Sequence, residues 1–190
     1  MGRWEPNAEG RLREAAMELF LERGYEQTTV ADIAERAGLT SRTFFRYFAD
    51  KREVLFVSSQ AFEEPLVEAL EATPAEAPPM AAVAAALDAF ADLVGGNREH
   101  TRARQSVIDS SAELRERELI KLASLASALA DGLRRRGVPD PQAGLAAETG
   151  IAVLRVAFAE WRDEAVERPL AEVMRASLAD LTTLTAAAAG

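Results

Sequence analysis

The stretch that decides the fold is Gly24-Tyr25-Glu26-Gln27-Thr28-Thr29-Val30-Ala31-Asp32-Ile33-Ala34, followed by Ala37-Gly38-Leu39-Thr40-Ser41-Arg42-Thr43-Phe44-Phe45-Arg46-Tyr47-Phe48 and then by Lys51 and Leu55. It reads as helix, tight turn, helix, and the start of a third helix. Thr29 is placed to cap the first of these, with Asp32 three residues on as a short capping-box partner. Gly38 breaks that helix and supplies the turn, and Thr40 caps the next. The result is a helix-turn-helix whose short second helix has a basic, hydroxylated outer side, an element suited to the major groove of DNA.

A wheel at about 100° per residue sorts that second helix. Phe44, Phe48 and Phe45 fall within about 100° of arc and are expected to anchor it. Arg42, Thr43, Arg46 and Tyr47 fall opposite and carry no carboxylate among them. Arginine can grip a guanine edge or a phosphate with paired hydrogen bonds. Ser41, Arg42 and Arg46 are therefore expected to read bases. Thr28, Thr29, Thr40, Thr43, Tyr47 and Lys51 are expected to meet phosphates. An ordinary helical hairpin with a charged exterior is the plainer reading of geometry alone.

Outward from this element, the first helix runs from about Ala8 to Arg23. Leu12, Ala15, Ala16, Leu19 and Phe20 form its stripe, and Gly24 stops it. Asp50 is expected to cap a long fourth helix, with Glu53 at its N3 position, continuous to about Ala72. Thr73-Pro74-Ala75-Glu76-Ala77-Pro78-Pro79 is a linker by composition. Five further helices are expected at about 80–94, 98–110, 112–136, 140–167 and from Pro169 to an alanine-rich tail that frays from Ala186. Gly137-Val138-Pro139 ends the seventh, and Asp140-Pro141 opens the eighth. The fold class is all-α, about nine helices: an N-terminal three-helix helix-turn-helix domain over 1–52 and a C-terminal helical bundle over 53–190.

Charge supports the division. The 190-residue chain has net charge −9, yet residues 1–52 hold nine Lys/Arg and nine Asp/Glu, so the acidic excess lies entirely beyond them. Within 40–52, Arg42, Arg46, Lys51 and Arg52 face only Asp50. A local basic patch on a neutral domain is what a phosphate-contacting surface requires. A plainly soluble acidic protein has the same net charge. There is no cysteine, which excludes disulfides and thiolate metal sites. No apolar run approaches the ~18 residues of a membrane span. Met1-Gly2-Arg3-Trp4-Glu5-Pro6 lacks the apolar stretch of a signal peptide, so a cytoplasmic location is expected.

Residues 11–57 resemble the N-terminal domain of TetR-family transcriptional regulators. The resemblance rests on Ala15-Ala16, Glu18-Leu19-Phe20, Gly24-Tyr25, Thr28-Thr29-Val30, Ile33-Ala34, Ala37-Gly38-Leu39-Thr40, Thr43-Phe44-Phe45, Tyr47-Phe48, Lys51 and Val54-Leu55, all in register. It implies a homodimer of nine or ten helices per subunit, palindromic operators and a small-molecule ligand that releases DNA. Two departures stand out. The family often has a phosphate-binding tyrosine where this chain has Phe45, and a glycine where it has Arg42. Arg42 and Arg46 are therefore expected to carry more of the recognition.

The later helices show no catalytic constellation, no P-loop, no GxGxxG or GxSxG, and one histidine, His100, expected to be exposed. No enzyme, metal or cofactor is read from them. Val83, Leu87, Phe90, Ala91 and Val94, then Leu119, Leu122, Leu125, Ala126 and Leu129, then Ile151, Leu154, Val156, Phe158 and Trp161 form stripes that serve either as core or as pocket lining. Arg102-x-Arg104 through Arg115, with Leu154-Arg155-Val156-Ala157-Phe158 and Trp161, is similar to the mycofactocin-linked subgroup of the same family. That similarity implies an apolar or acyl-CoA-like effector near Phe90, Phe158 and Trp161, with Arg102, Arg104 and Arg155 on its anionic end. Helices eight and nine, rich in Ala and Leu, are expected to form the dimer as a four-helix bundle. Ligand binding would then tilt the fourth helix. The competing reading is a helical protein-interaction module that uses residues 40–52 on an acidic partner, without sequence-specific DNA binding.

Overall fold

Threonine caps at Thr29 and Thr40 and glycine stops at Gly24, Gly38 and Gly137 bound several helices at places the sequence marks. The computed structural model describes residues 7–56, 59–163 and 165–188. The readings made for Met1–Pro6, for Val57 and Ser58 inside the fourth helix, for Glu164 inside the eighth and for the last two residues lie outside these. Nine α-helices are present among the described residues: α1 Ala8–Arg23, α2 Val30–Arg36, α3 Ser41–Tyr47, α4 Ser59–Glu71, α5 Pro79–Val94, α6 Arg98–Ser110, α7 Ala112–Arg135, α8 Asp140–Trp161 and α9 Leu170–Ala188. Gly24 (φ 87°), Gly38 (φ 67°) and Gly137 (φ 85°) sit just past α1, α2 and α7 in the left-handed region that glycine occupies without strain.

Two compact units share the chain. One comprises residues 1–58 with 102–119, and the other 59–101 with 120–190. The divisions therefore fall inside α6 and α7, and the 73–79 linker is internal to the second unit.

The first unit buries Leu12, Ala16, Phe20, Ile33, Phe44 and Phe48 around α1–α3, together with Val107, Ile108 and Leu114 from the 102–119 segment. The stripe expected on α1 is buried throughout.

The long fourth helix is not continuous. Arg52–Leu55 form a 3-10 turn and Phe56 is extended (φ −114°, ψ 139°), so α4 begins separately at Ser59. Asp50 does cap the turn, its Oδ1 accepting from the N–H groups of Arg52 (2.8 Å) and Glu53 (3.2 Å). The reason for the break is burial. Val54, Leu55 and Phe56 are all buried in succession. Three consecutive residues of an α-helix span about 200° and cannot share one face. Their carbonyls are taken up by side chains instead. Arg13 donates to Val54 O (2.6 Å) and Phe56 O (3.1 Å), and Arg104 Nε donates to Leu55 O (2.7 Å).

In the second unit α5 packs on α4, α8 and α9. Its core includes Leu66, Leu70, Leu87, Leu125, Leu129, Leu133 and Met174. Gly150 of α8 lies so close to α5 that a Cβ there would meet Val83 Cγ1 at 2.5 Å. α8 ends at Trp161, short of the expected 167. α9 stays helical through Ala188 instead of fraying from Ala186, as alanine's high helix propensity favours. Val156, placed in an inward stripe by sequence, is 63% exposed, and Leu119 is exposed too. Val156 lies two residues from both Leu154 and Phe158, about 200° round the helix from each.

Candidate nucleic-acid interface

α2 and α3 are set by their first residues. Thr29 accepts from Asp32 N–H (3.2 Å) while the Asp32 carboxylate accepts from Thr29 N–H (2.9 Å), a complete capping box. Thr40 Oγ1 accepts from Thr43 N–H (3.2 Å). Phe44 is fully buried and Phe48 nearly so, their ring centroids 5.1 Å apart, and together they fix which side of α3 faces inward.

Of the three residues expected to read bases, the two arginines lie on the other side, whereas Ser41 falls within the phenylalanine arc. Arg42 and Arg46 are exposed and Ser41 is half-buried. Among the described residues the Arg42 side chain has no hydrogen-bond or ion-pair partner. Arg46 donates to Tyr47 Oη (3.1 Å), with its guanidinium 4.9 Å from that ring's centroid. α3 contains no acidic residue, so this face carries positive charge without internal neutralisation.

Phe45 does not bury with its neighbours. It is 57% exposed. Phe44 and Phe48 define the inward direction, and Phe45 sits about 60–100° round the helix from them, on the Arg42 side. Grouping three rings in one arc was correct, but the arc's edge lies outside the core.

The expected phosphate contacts separate into two sets. Thr40 and Tyr47 are exposed and Thr43 is half-buried, with the two threonine hydroxyls 3.0 Å apart. Thr28 is different: it is 1% exposed and its hydroxyl donates inward to Gly24 O (2.9 Å), so it holds the α1–α2 turn instead of meeting solvent. Thr29 is exposed, but its hydroxyl donates to the Asp32 carboxylate (2.7 Å). Lys51 also turns inward. Its Nζ donates to Tyr25 O (2.8 Å) and Thr28 O (3.0 Å) and lies 3.8 Å from the Tyr25 ring centroid. Two of its three N–H groups are thus committed to the fold. Tyr25 in turn donates to Glu113 (3.2 Å), and burial, then that carboxylate, push its phenol pKa far up, so it stays protonated.

The residues offered as an effector pocket divide between the two units. In the second, Phe62, Phe90, Phe158 and Trp161 pack ring on ring at centroid distances of 5.6, 6.0 and 5.9 Å in turn. Arg155 is exposed. Arg98, which sequence did not single out, packs over the Trp161 ring at 5.2 Å and donates to Trp161 O and Asp163 O. Arg102 and Arg104 fall in the first unit. Arg104 is committed to Leu55 O and to the Phe56 ring (5.2 Å), and burial pushes its pKa down from the usual arginine value.

Residues 12–57 match the bacterial regulatory proteins of the TetR family, and residues 77–186 match the MftR C-terminal domain. The chain belongs to the TetR family. It is 47% identical over 78 residues to the HTH-type transcriptional regulator TcmR of Streptomyces glaucescens, covering 41% of this chain and 34% of TcmR. It is 28% identical over 170 residues to the mycofactocin biosynthesis transcriptional regulator MftR of Mycobacterium tuberculosis, covering 87% of this chain and 86% of MftR. The chain thus spans about a third of TcmR but most of MftR. Among solved structures, a transcriptional regulator of Pseudomonas aeruginosa PAO1 has the same fold (TM-score 0.65, 18% identity, 97% of this chain and 93% of that one). So does Thermus thermophilus FadR, a repressor solved with lauroyl-CoA (TM-score 0.55, 23% identity, 90% and 91%). These relatives are transcriptional regulators rather than enzymes. No single described helix is long and apolar enough to cross a membrane.

Proposed function

We propose that this protein is a cytoplasmic, ligand-released transcriptional repressor that binds palindromic operator DNA as a homodimer. Residues 1–52 carry the DNA-binding function, and 53–190 the ligand and dimer functions. The observation that carries the reading is the outward face of α3, where Arg42 and Arg46 are exposed on a helix that contains no acidic residue. Ser41, Arg42 and Arg46 read base edges, and Thr40, Thr43 and Tyr47 meet the backbone. Thr29 meets a phosphate only by giving up its bond to Asp32. Lys51 and Thr28 serve by holding the α1–α2 turn in place.

The homodimer forms through α8 and α9. On α8, Leu145, Ala152 and Val156 share one exposed stripe, and Leu145 and Val156 are 71% and 63% exposed. On α9, Leu184 is 71% exposed. Such apolar faces favour a second copy over water. Four of the six α8 alanines face the subunit's own core instead of this stripe. Ala143, Ala146, Ala147 and Ala157 are buried within the subunit.

The effector is apolar or acyl-CoA-like and separates the Phe90–Phe158–Trp161 row, with Arg155 near its anionic end. Support comes from the aromatic, alanine-rich core and from the acyl-CoA bound by FadR of Thermus thermophilus. Because the 3-10 turn Arg52–Leu55 and the extended Phe56 precede α4, the coupling does not run through one rigid rod. It runs through α6, whose residues belong to both units and whose Arg104 grips Leu55 O. Release requires that the effector bind one conformation more tightly than the other.

The test is selection of binding sites from random duplexes with purified protein at low ionic strength. A palindromic consensus is the expected result. Binding to no duplex, with or without acyl-CoAs, would refute the reading and favour a protein-interaction module.

A further inference from the structure

Of the eight phenylalanines, Phe45 alone is exposed; the others are buried or half-buried. It is not simply a stray apolar residue on a wet surface. It lies three residues after Arg42 and one before Arg46, so all three side chains share about 100° of the α3 surface. The buried Phe44 ring supports it edge-on, with centroids 5.6 Å apart and planes at 82°, which limits its orientations.

The two flanks of the α3 face are chemically unlike. On one flank stands Tyr47, 37% exposed, its hydroxyl already bonded by Arg46 and suited to a phosphate oxygen. On the other stands Phe45, 57% exposed, with no polar atom. A phenyl ring gains nothing from a phosphate. In the major groove the apolar group exposed on a base edge is the C5-methyl of thymine.

We propose that Phe45 is a specificity-determining residue that recognises a thymine methyl group in each operator half-site, beside the base pair gripped by Arg42. This inference rests on the DNA-binding reading above and adds to it a base identity that no hydrogen-bonding residue supplies. Phe45 selects thymine over cytosine at that position, its exposed ring covering the methyl while the buried Phe44 ring backs it from the core side.

The experiment uses the full-length protein and the duplex recovered by site selection. Each thymine in turn is replaced by deoxyuridine, which removes the methyl and leaves the hydrogen-bonding edge intact. Wild-type protein is expected to lose about fourfold in affinity at one symmetry-related position, and roughly fifteenfold when both half-sites are altered, as for a buried methyl-sized group. Phe45→Ala binds the thymine duplex more weakly and loses the methyl dependence, its exposed position leaving the fold intact. Phe45→Tyr keeps the ring and therefore keeps the dependence. The inference is overturned if wild type tolerates deoxyuridine everywhere, or if Phe45→Ala remains as sensitive as wild type. A weaker Phe45→Ala with no methyl-sensitive position in wild type would place the ring on the sugar backbone and overturn it too. In each of these outcomes the duplex is still bound, so the DNA-binding reading survives. Only failure to bind any duplex removes both.

Discussion

Among the described residues the outer faces of α3 and α8 are both exposed, and they are opposites in chemistry. α3 presents two arginines, a phenyl ring and a phenol with no acid. α8 presents Leu145, Ala152 and Val156 in line. A polyanion with readable edges suits the first, and another apolar helix face suits the second. Exposure alone therefore says little. What surrounds the exposed group decides which partner it fits.

The largest effect is expected on the apolar face. Leu145→Glu combined with Val156→Glu places two charges in the proposed interface. Light scattering should show monomer, and operator affinity should fall at least about a hundredfold as bivalent binding is lost. A dimer that persists would move the interface off α8.

Next comes the contrast between outward and inward cations. Lys51→Met removes two charged hydrogen bonds to carbonyls and should lower unfolding stability by about 1–3 kcal/mol, leaving the preferred operator sequence unchanged. Arg42→Ala should do the reverse: stability within about 0.5 kcal/mol of wild type, but about 1–3 kcal/mol of binding lost and a relaxed base preference at one half-site position. Chemical denaturation and repeated site selection separate the two. If Lys51→Met changed only the salt dependence of binding, its inward role would be wrong.

The smallest effect concerns acid. Asp50 is held below the usual carboxylate range, chiefly by the Arg52 guanidinium at 2.6 Å and then by the backbone N–H of Glu53. Its folded pKa lies below its unfolded one, so it stabilises the fold above the ordinary value near 4. That contribution fades as pH falls through the folded pKa. Melting temperature should therefore drop less steeply between about pH 5 and 3 in Asp50→Asn than in wild type. The pair is more than a third exposed, which keeps the difference under about 1 kcal/mol. Parallel melting curves would remove Asp50 from the acid response.

Local signals in the sequence were enough for most of the architecture. Thr29 with Asp32, Thr40, and the glycines at 24, 38 and 137 each act within a few residues of themselves, and each marks a boundary the structure keeps. The break at Phe56 is of another kind. It depends on Arg13 and Arg104, which lie 43 and 49 residues from the carbonyls they grip. No periodicity within residues 50–72 contains that information, although the unbroken run Val54-Leu55-Phe56-Val57 is a hint that one helical face could not hold them. The exposure of Arg42 and Arg46 and the burial of Phe44 and Phe48 on α3 were legible in the sequence. It was not legible for Lys51 and Thr28, because a cation or hydroxyl beside a basic helix looks the same in sequence whether it points to solvent or to a carbonyl. Phe45 failed for a related reason: a wheel groups residues but does not say where the neighbouring helices stand.

Gly150 has a wider consequence. At that level α5 and α8 leave no room for even a methyl group beside Val83. Seven and eight residues further along the same two helices, about 11 Å away, Phe90 meets Phe158. The missing side chain thus works as a gauge that sets how tightly those rings close, and a methyl inserted there would pry open the seam where the proposed effector would sit.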